Sequence, residues 1–178
     1  GLLPVVRPLI ELAEKPVDVE MKRIALDLDR YDKIIFVSKS SVRFGLPILE
    51  NYWPQWPISL KWFSVGPGTA AALKQHGVVA SFPDLAGSEG LLALTGLQEV
   101  ADEQILIVRG AGGRELLGQS LGESGASVTY LETYRRLLLQ HDFSDLVAGS
   151  IVILTSAEIL ENFTSLSGGS LHGYHAVV

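Results

Sequence analysis

The chain of 178 residues contains no cysteine, which excludes disulfides, thiol nucleophiles and thiolate metal sites. Basic excess is missing too. Fourteen Lys and Arg face 20 Asp and Glu, and the resulting net charge of −6 argues against nucleic acid, whose phosphates demand a basic face. The apolar opening GLLPVVRPLIELAE is broken by Pro4, Arg7, Pro8 and Glu11, too soon for a signal core or a membrane span. No block of like charges and no low-complexity tract marks a disordered tail. The four histidines, His76, His141, His172 and His175, show no metal-ligand spacing, and His76 before Gly77 reads as a charge at a helix C-terminus. No metal is assigned. A nucleophile motif is also lacking, since RGAGG is not a serine elbow. What remains is a composition 47% hydrophobic, ample for a packed core, with a cytoplasmic enzyme as the default expectation.

Short blocks rich in Ile, Val and Phe alternate with helical patterns. The strand-like blocks are KIIFVS 33–38, SLKWFSVG 59–66, GVVASF 77–82, QILIVRG 104–110, SVTYLETY 127–134 and SIVILTS 150–156. Helices are expected near 40–51, 67–76, 88–97, 113–124 and 157–166. This rhythm predicts an α/β fold with a parallel sheet covered on both faces, whose ligands gather outside the carboxyl ends of the strands. Two segments break it: the opening stretch and SVTYLETYRRLLLQ, near 127–140, each about twice the usual length of a buried parallel strand. They are expected to pair as a connecting ribbon. The start without methionine and the terminal YHAVV read as the ends of a fragment. On that reading 13–126 is a complete unit and 139–178 part of another, which a further ~60 to 80 residues would complete. IIFVSKSSVRF and IVILTSAEIL form a weak internal echo, each running strand, hydroxyl, helix.

Four constellations carry candidate chemistry. In ILIVRGAGGRELL a strand feeds a helix through glycines, so free backbone N–H groups face whatever lies in front, and anions favour that position. Gly110 and Gly112 supply two positions of a dinucleotide fingerprint, but the third is Glu115, and the same residue defeats a Walker loop. Glu132, some twenty residues on, is weak evidence alone for a ribose-binding acid. Gly112 and Gly113 equally suit a plain tight turn, while Arg109 and Arg114 flank it in positions that suit a carboxylate. In FVSKSSVRF, Ser38 ends a strand and Ser40 or Ser41 starts a helix, either as simple caps or as ligand-binding hydroxyls, with Lys39 and Arg43 solvated. In FSVGPGTAAAL, Gly66, Pro67, Gly68 and Thr69 make a third strand-to-helix turn. All three turns would open on one sheet edge, a convergence that single caps do not explain. In YLETYRR, alternation places Tyr130 and Tyr134 on one face, and only Tyr134, near the ribbon's exit, suits a cleft.

Taken in order and spacing, IIFVSKSSVRF, FSVGPGTAAAL, SEGLLAL, ILIVRGAGGRELL and GASVTYLETYRR resemble the uroporphyrinogen-III synthase family of tetrapyrrole biosynthesis, from about residue 2 to residue 166. The resemblance implies two parallel-sheet α/β domains of flavodoxin-like type joined by a two-stranded β-ladder, with a cleft between them. The ladder would be 1–12 and 127–138, the intact domain 13–126, and the partial second domain 139–178. It implies a lyase that cyclises hydroxymethylbilane to uroporphyrinogen III, losing water and inverting ring D, as a cytoplasmic monomer with no metal or cofactor. Carried over by motif, Ser38, Ser40, Ser41, Thr69 and the turn of Arg109, Gly110, Gly112 and Gly113 would bind the substrate's acetate and propionate arms. Thr155 and Ser156 would do so on the other domain, and Tyr134 would assist loss of the hydroxyl. Competing expectations are a non-catalytic α/β module binding a small anion, disfavoured in its receiver form because KIIFVS ends in serine rather than an acid, and a nucleotide-dependent enzyme, weakened by both failed glycine spacings.

Overall fold

A computed structural model describes residues 4–113, 115–144, 146, 149–167 and 175–177. Arg114 and His172 therefore lie outside the described residues. The chain divides into two compact units, Glu14–Arg135 and Gly1–Ala13 with Arg136–Val178. In order the elements are β1 (Ile10–Glu14), α1 (Val19–Leu26), β2 (Lys33–Phe36), α2 (Lys39–Glu50), β3 (Lys61–Ser64), α3 (Pro67–Gln75), α4 (Ser88–Leu92), β4 (Gln104–Gly110), α5 (Leu116–Glu123), β5 (Ser127–Leu138), β6 (Ile151–Ile153), α6 (Ala157–Leu166) and β7 (His175–Val177), with short 3-10 turns at Leu28–Arg30 and Thr95–Leu97.

The larger sheet runs β1-β5-β4-β2-β3. Within it β2 is parallel to both β3 and β4, and β4 is parallel to the first eight residues of β5. The odd and even positions of the central strands part the core into two layers, as continuous apolar runs in a doubly covered sheet must. Ile34 and Phe36 of β2, with Leu106 and Val108 of β4, pack beneath α1, α2 and α3, whereas Ile35, Ile105 and Ile107 pack with Leu91 of α4 and Leu117 and Leu121 of α5.

Two elements differ from the sequence reading. Helix α1 was not anticipated, although its signals are present: Asp18 caps it by accepting from the Met21 N–H at 2.8 Å, and Met21, Ile24 and Ala25 are buried at helical spacing. Conversely, GVVASF forms no strand. Only a single bridge links Ser81 to Phe63, and Val79 is 85% exposed, so the sheet's edge stays at β3. The expected helix over 88–97 is α4 plus the 3-10 turn at Thr95–Leu97, where Gly96 meets the Phe63 ring.

Strand β5 serves two neighbours. Backbone hydrogen bonds from Lys15 N to Thr133 O and from Leu139 N to Leu9 O, both 3.0 Å, bracket its later half beside β1 in the order of an antiparallel ribbon. In the smaller unit, Leu9, Leu154 and Phe163 form the core, Phe143 meets Phe163 edge-on at 4.9 Å, and β6 pairs in parallel with β7.

Candidate functional site

The parallel register decides which turns meet. Phe36 is level with Ser64 on β3 and with Val108 on β4, so two residues further on Ser38, Gly66 and Gly110 leave the sheet side by side. From β2 the chain returns through α2 to β3 on one side; from β4 it returns through α5 to β5 on the other. The point between β2 and β4 is thus the place where strand order reverses, where open α/β sheets receive ligands.

Ser38 caps α2 with a reciprocal pair. Its Oγ accepts from the Ser41 N–H at 2.9 Å, its own N–H donates to Ser41 Oγ at 3.1 Å, and Ser41 Oγ–H donates to the Ser38 carbonyl at 2.7 Å. The Ser38 hydroxyl also lies 3.1 Å from the hydroxyl of Tyr134. Tyr134 is 4% exposed, its ring stacked on Phe44 of α2 with centroids 5.3 Å apart. Gly110 also lies against the ring, where a Cβ would come within 2.6 Å of it. Ser40, in the first turn of α2, is half-buried.

Tyr130 and Tyr134 do not share a face. The pairing of β4 with β5 slips after Arg109, which is level with Glu132, so that Gly110 is level with Tyr134 and Thr133 is the extra residue. Such a bulge breaks the period of two. Tyr130 consequently packs toward α5, its hydroxyl against Gly118, and Tyr134 toward α2.

The third turn begins at Gly66, where the Ser64 hydroxyl donates to the Gly66 carbonyl at 3.2 Å and Pro67 occupies the first position of α3. Thr69 is buried one turn in, its N–H donating to Gly66 O at 3.1 Å. The stem of Lys39 crosses Gly68, leaving Cε 2.8 Å from where a Cβ would stand.

In the glycine turn, Gly112 has φ 68°, the left-handed region that favours glycine, and Gly113 sits against the Gly110 carbonyl and the Arg109 stem. Arg109 is 7% exposed and turned inward. Its Nε and Nη2 donate to Glu132 Oε1 at 3.2 and 3.0 Å, Nη1 donates to the Gly113 carbonyl at 3.3 Å, and its guanidinium stacks on the Tyr130 ring at 4.0 Å. Lys15 reaches the other oxygen of Glu132 at 3.7 Å. Glu132 is thus the counter-ion that holds the turn, a role the sequence reading did not give it; the signal is its position level with Arg109 on the neighbouring strand. Phe44 was likewise missed, because its partner is ninety residues away.

In the smaller unit Ser156 caps α6 by accepting from the Ile159 N–H at 3.3 Å, and Thr155 beside it is exposed. The strand-hydroxyl-helix echo between the Ser38 and Ser156 turns is therefore structural. Among the described residues no group of three or more His, Asp or Glu could hold a metal ion, and no helix is long and apolar enough to cross a membrane.

Comparison with known proteins agrees with this layout. A family model described as uroporphyrinogen-III synthase HemD matches residues 1–178. The chain is 34% identical over 169 residues to uroporphyrinogen-III synthase of Salmonella typhimurium, covering 90% of this chain and 68% of that protein. To the Escherichia coli protein of the same name it is 33% identical over 167 residues, covering 89% and 68%. Among solved structures, the uroporphyrinogen-III synthetase of Helicobacter pylori superposes with a TM-score of 0.64 at 18% identity, covering 94% of this chain and 74% of that one. The wild-type synthase of Thermus thermophilus does so with 0.60 at 18%, covering 96% and 72%. These two likenesses establish a shared fold. The family match spans every element described above, and the chain belongs to the uroporphyrinogen-III synthase family, cyclising enzymes of tetrapyrrole biosynthesis.

Proposed function

We propose that this chain closes hydroxymethylbilane to uroporphyrinogen III, with loss of water and inversion of ring D, and that the strand-end turns hold the substrate's carboxylate arms. The arms accept hydrogen bonds from hydroxyls and from the N–H groups at helix starts, as phosphates do. Ser40 and Thr69 are the ligands on the first two turns, with Ser41, whose hydroxyl is taken up by the Ser38 backbone, holding the shape of the first. The backbone of Gly110, Gly112 and Gly113 serves on the third, where Arg109 acts by holding the loop through Glu132 and the Gly113 carbonyl. Thr155 and Ser156 offer a turn of the same type on the other unit. In this reading the chain is built of flavodoxin-like α/β domains joined by the β1–β5 ladder, and works as a cytoplasmic monomer.

The chemistry needs little more than positioning and one proton. Loss of the terminal hydroxyl leaves an azafulvene, which is attacked through a spiro-pyrrolenine and recloses with ring D inverted; unassisted closure gives the uninverted isomer. Holding a flexible chain in the reactive fold is therefore the main task, with proton transfer at the departing hydroxyl. Tyr134 is the residue for that transfer. The observation that carries the reading is its hydroxyl, held beside Ser38 at the switch point of the sheet by the stack on Phe44 and the close approach of Gly110.

The test is to supply enzymatically generated hydroxymethylbilane to the protein, oxidise the products and separate the uroporphyrin isomers. Type III is expected, and type I alone would overturn the assignment. Tyr134→Phe should lower turnover at least tenfold with an unchanged far-UV spectrum, within the range of acid-base contributions. Unchanged turnover would remove Tyr134 from the chemistry.

A further inference from the structure

The sequence assigns Ser38 to substrate binding, but its hydrogen bonds leave little of it for a ligand. We infer that Ser38 is instead a positioning residue that orients the proton of Tyr134, an inference that rests on the reading of Tyr134 as the acid. The hydroxyls at this corner can be counted. The Ser41 proton is committed to the Ser38 carbonyl, and the Ser38 oxygen already accepts from the Ser41 N–H, which fixes its rotamer. Among the described residues the Ser38 proton then has one partner within hydrogen-bond distance, the Tyr134 oxygen at 3.1 Å. When Ser38 donates there, the phenol's own proton is left pointing away from Ser38.

This arrangement orients the phenol in the ground state and supports it after transfer. Tyr134 gives its proton to the substrate's departing hydroxyl, the carbon–oxygen bond breaks and water leaves, the substrate carrying the positive charge as the N-protonated azafulvene. The phenolate formed keeps the hydrogen bond from Ser38. The proton released from carbon when the final pyrrole regains aromaticity returns to the phenolate, so atoms and charges balance over the cycle. The stack on Phe44 and the close approach of Gly110 hold the ring on this line.

The experiment is a double-mutant cycle in the full chain, with kcat and KM measured for the wild type, Ser38→Gly, Ser38→Thr, Tyr134→Phe and Ser38→Gly with Tyr134→Phe. Glycine keeps most of the cap's stability while removing the hydroxyl, and threonine keeps both. Ser38→Gly should lower kcat about tenfold, the worth of one hydrogen bond, with KM within about twofold. Ser38→Thr should restore most of the loss, and Ser38→Gly should have no further effect on kcat once Tyr134 is Phe. A raised KM with kcat unchanged in Ser38→Gly would return Ser38 to substrate binding and overturn the inference. So would losses that multiply in the double variant while Tyr134→Phe alone is slow, an outcome that leaves the Tyr134 reading standing. Unchanged turnover in Tyr134→Phe would sink both.

Discussion

At the scale of single residues, the site is held by close approaches that admit no substitute. Gly110 is the sharpest case, for a Cβ there would stand 2.6 and 2.7 Å from Cε2 and Cζ of Tyr134. Gly110→Ala should therefore lower stability by about 1–3 kcal/mol and reduce turnover as well, since the ring must move to make room. Urea unfolding and isomer-resolved turnover check the two parts; an alanine variant with wild-type values in both would show that the ring is free. Lys33 makes a different demand. It is 2% exposed, its ammonium paired with Glu103, and burial, with Lys61 adding to it and Asp32 opposing, pushes it below the ordinary lysine value of 10.5. Glu103→Gln leaves that cation buried without its counter-ion and should cost about 3 kcal/mol. The folded state of this variant then holds the Lys33 proton less tightly than the unfolded chain. Its stability should rise as pH climbs toward 10.5, which urea titrations at stepped pH would read.

At the scale of elements, one slip in register shapes the site. The bulge in β5 places Tyr134 level with Gly110 and leaves the hydroxyl of the fully buried Thr133 with no hydrogen-bond partner among the described residues. Thr133→Val keeps the shape and removes the stranded group, so it should stabilise the protein by about 1 kcal/mol. For a chain of this size that is a rise in melting temperature of about 2–4 °C, read by a thermal scan; a fall would mean that the hydroxyl is satisfied. Most elements were legible beforehand. The strand at 104–110 and the helix at 157–166 appear with the expected limits because long apolar runs and amphipathic spacing report burial directly. GVVASF misled for the same reason: its apolar content resembles a strand, but its backbone lies past the edge of the sheet and Val79 faces solvent. Helix α1 went unseen although Asp18 and the spacing of Met21, Ile24 and Ala25 announce it. The bulge had no signature in a single sequence, and with it went the correct facing of Tyr130 and Tyr134.

At the scale of the whole molecule, the described residues of the two units form cores of unequal size. Glu14–Arg135 carries two extensive layers, one on each face of its sheet, whereas the smaller unit relies on Leu9, Leu154 and Phe163 with their half-buried neighbours. Phe163→Ala should remove about 3–5 kcal/mol from that small core. Hydrogen exchange followed by mass spectrometry should then show faster exchange across 143–166 with β2 and β4 still protected, because those strands draw on different contacts. Equal acceleration in both units would mean that they unfold as one.

The sequence by itself determined the α/β rhythm, the three strand-end turns and, through their order and spacing, the family, because apolar periodicity and turn chemistry are local properties of the chain. Only the tertiary structure decided which turns stand together and what their side chains do. The parallel register set Ser38, Gly66 and Gly110 in a row, the bulge turned Tyr134 toward α2, and a strand neighbour drew Arg109 inward onto Glu132. Those outcomes depend on contacts between residues twenty to a hundred positions apart, and such contacts exist only once the sheet has formed.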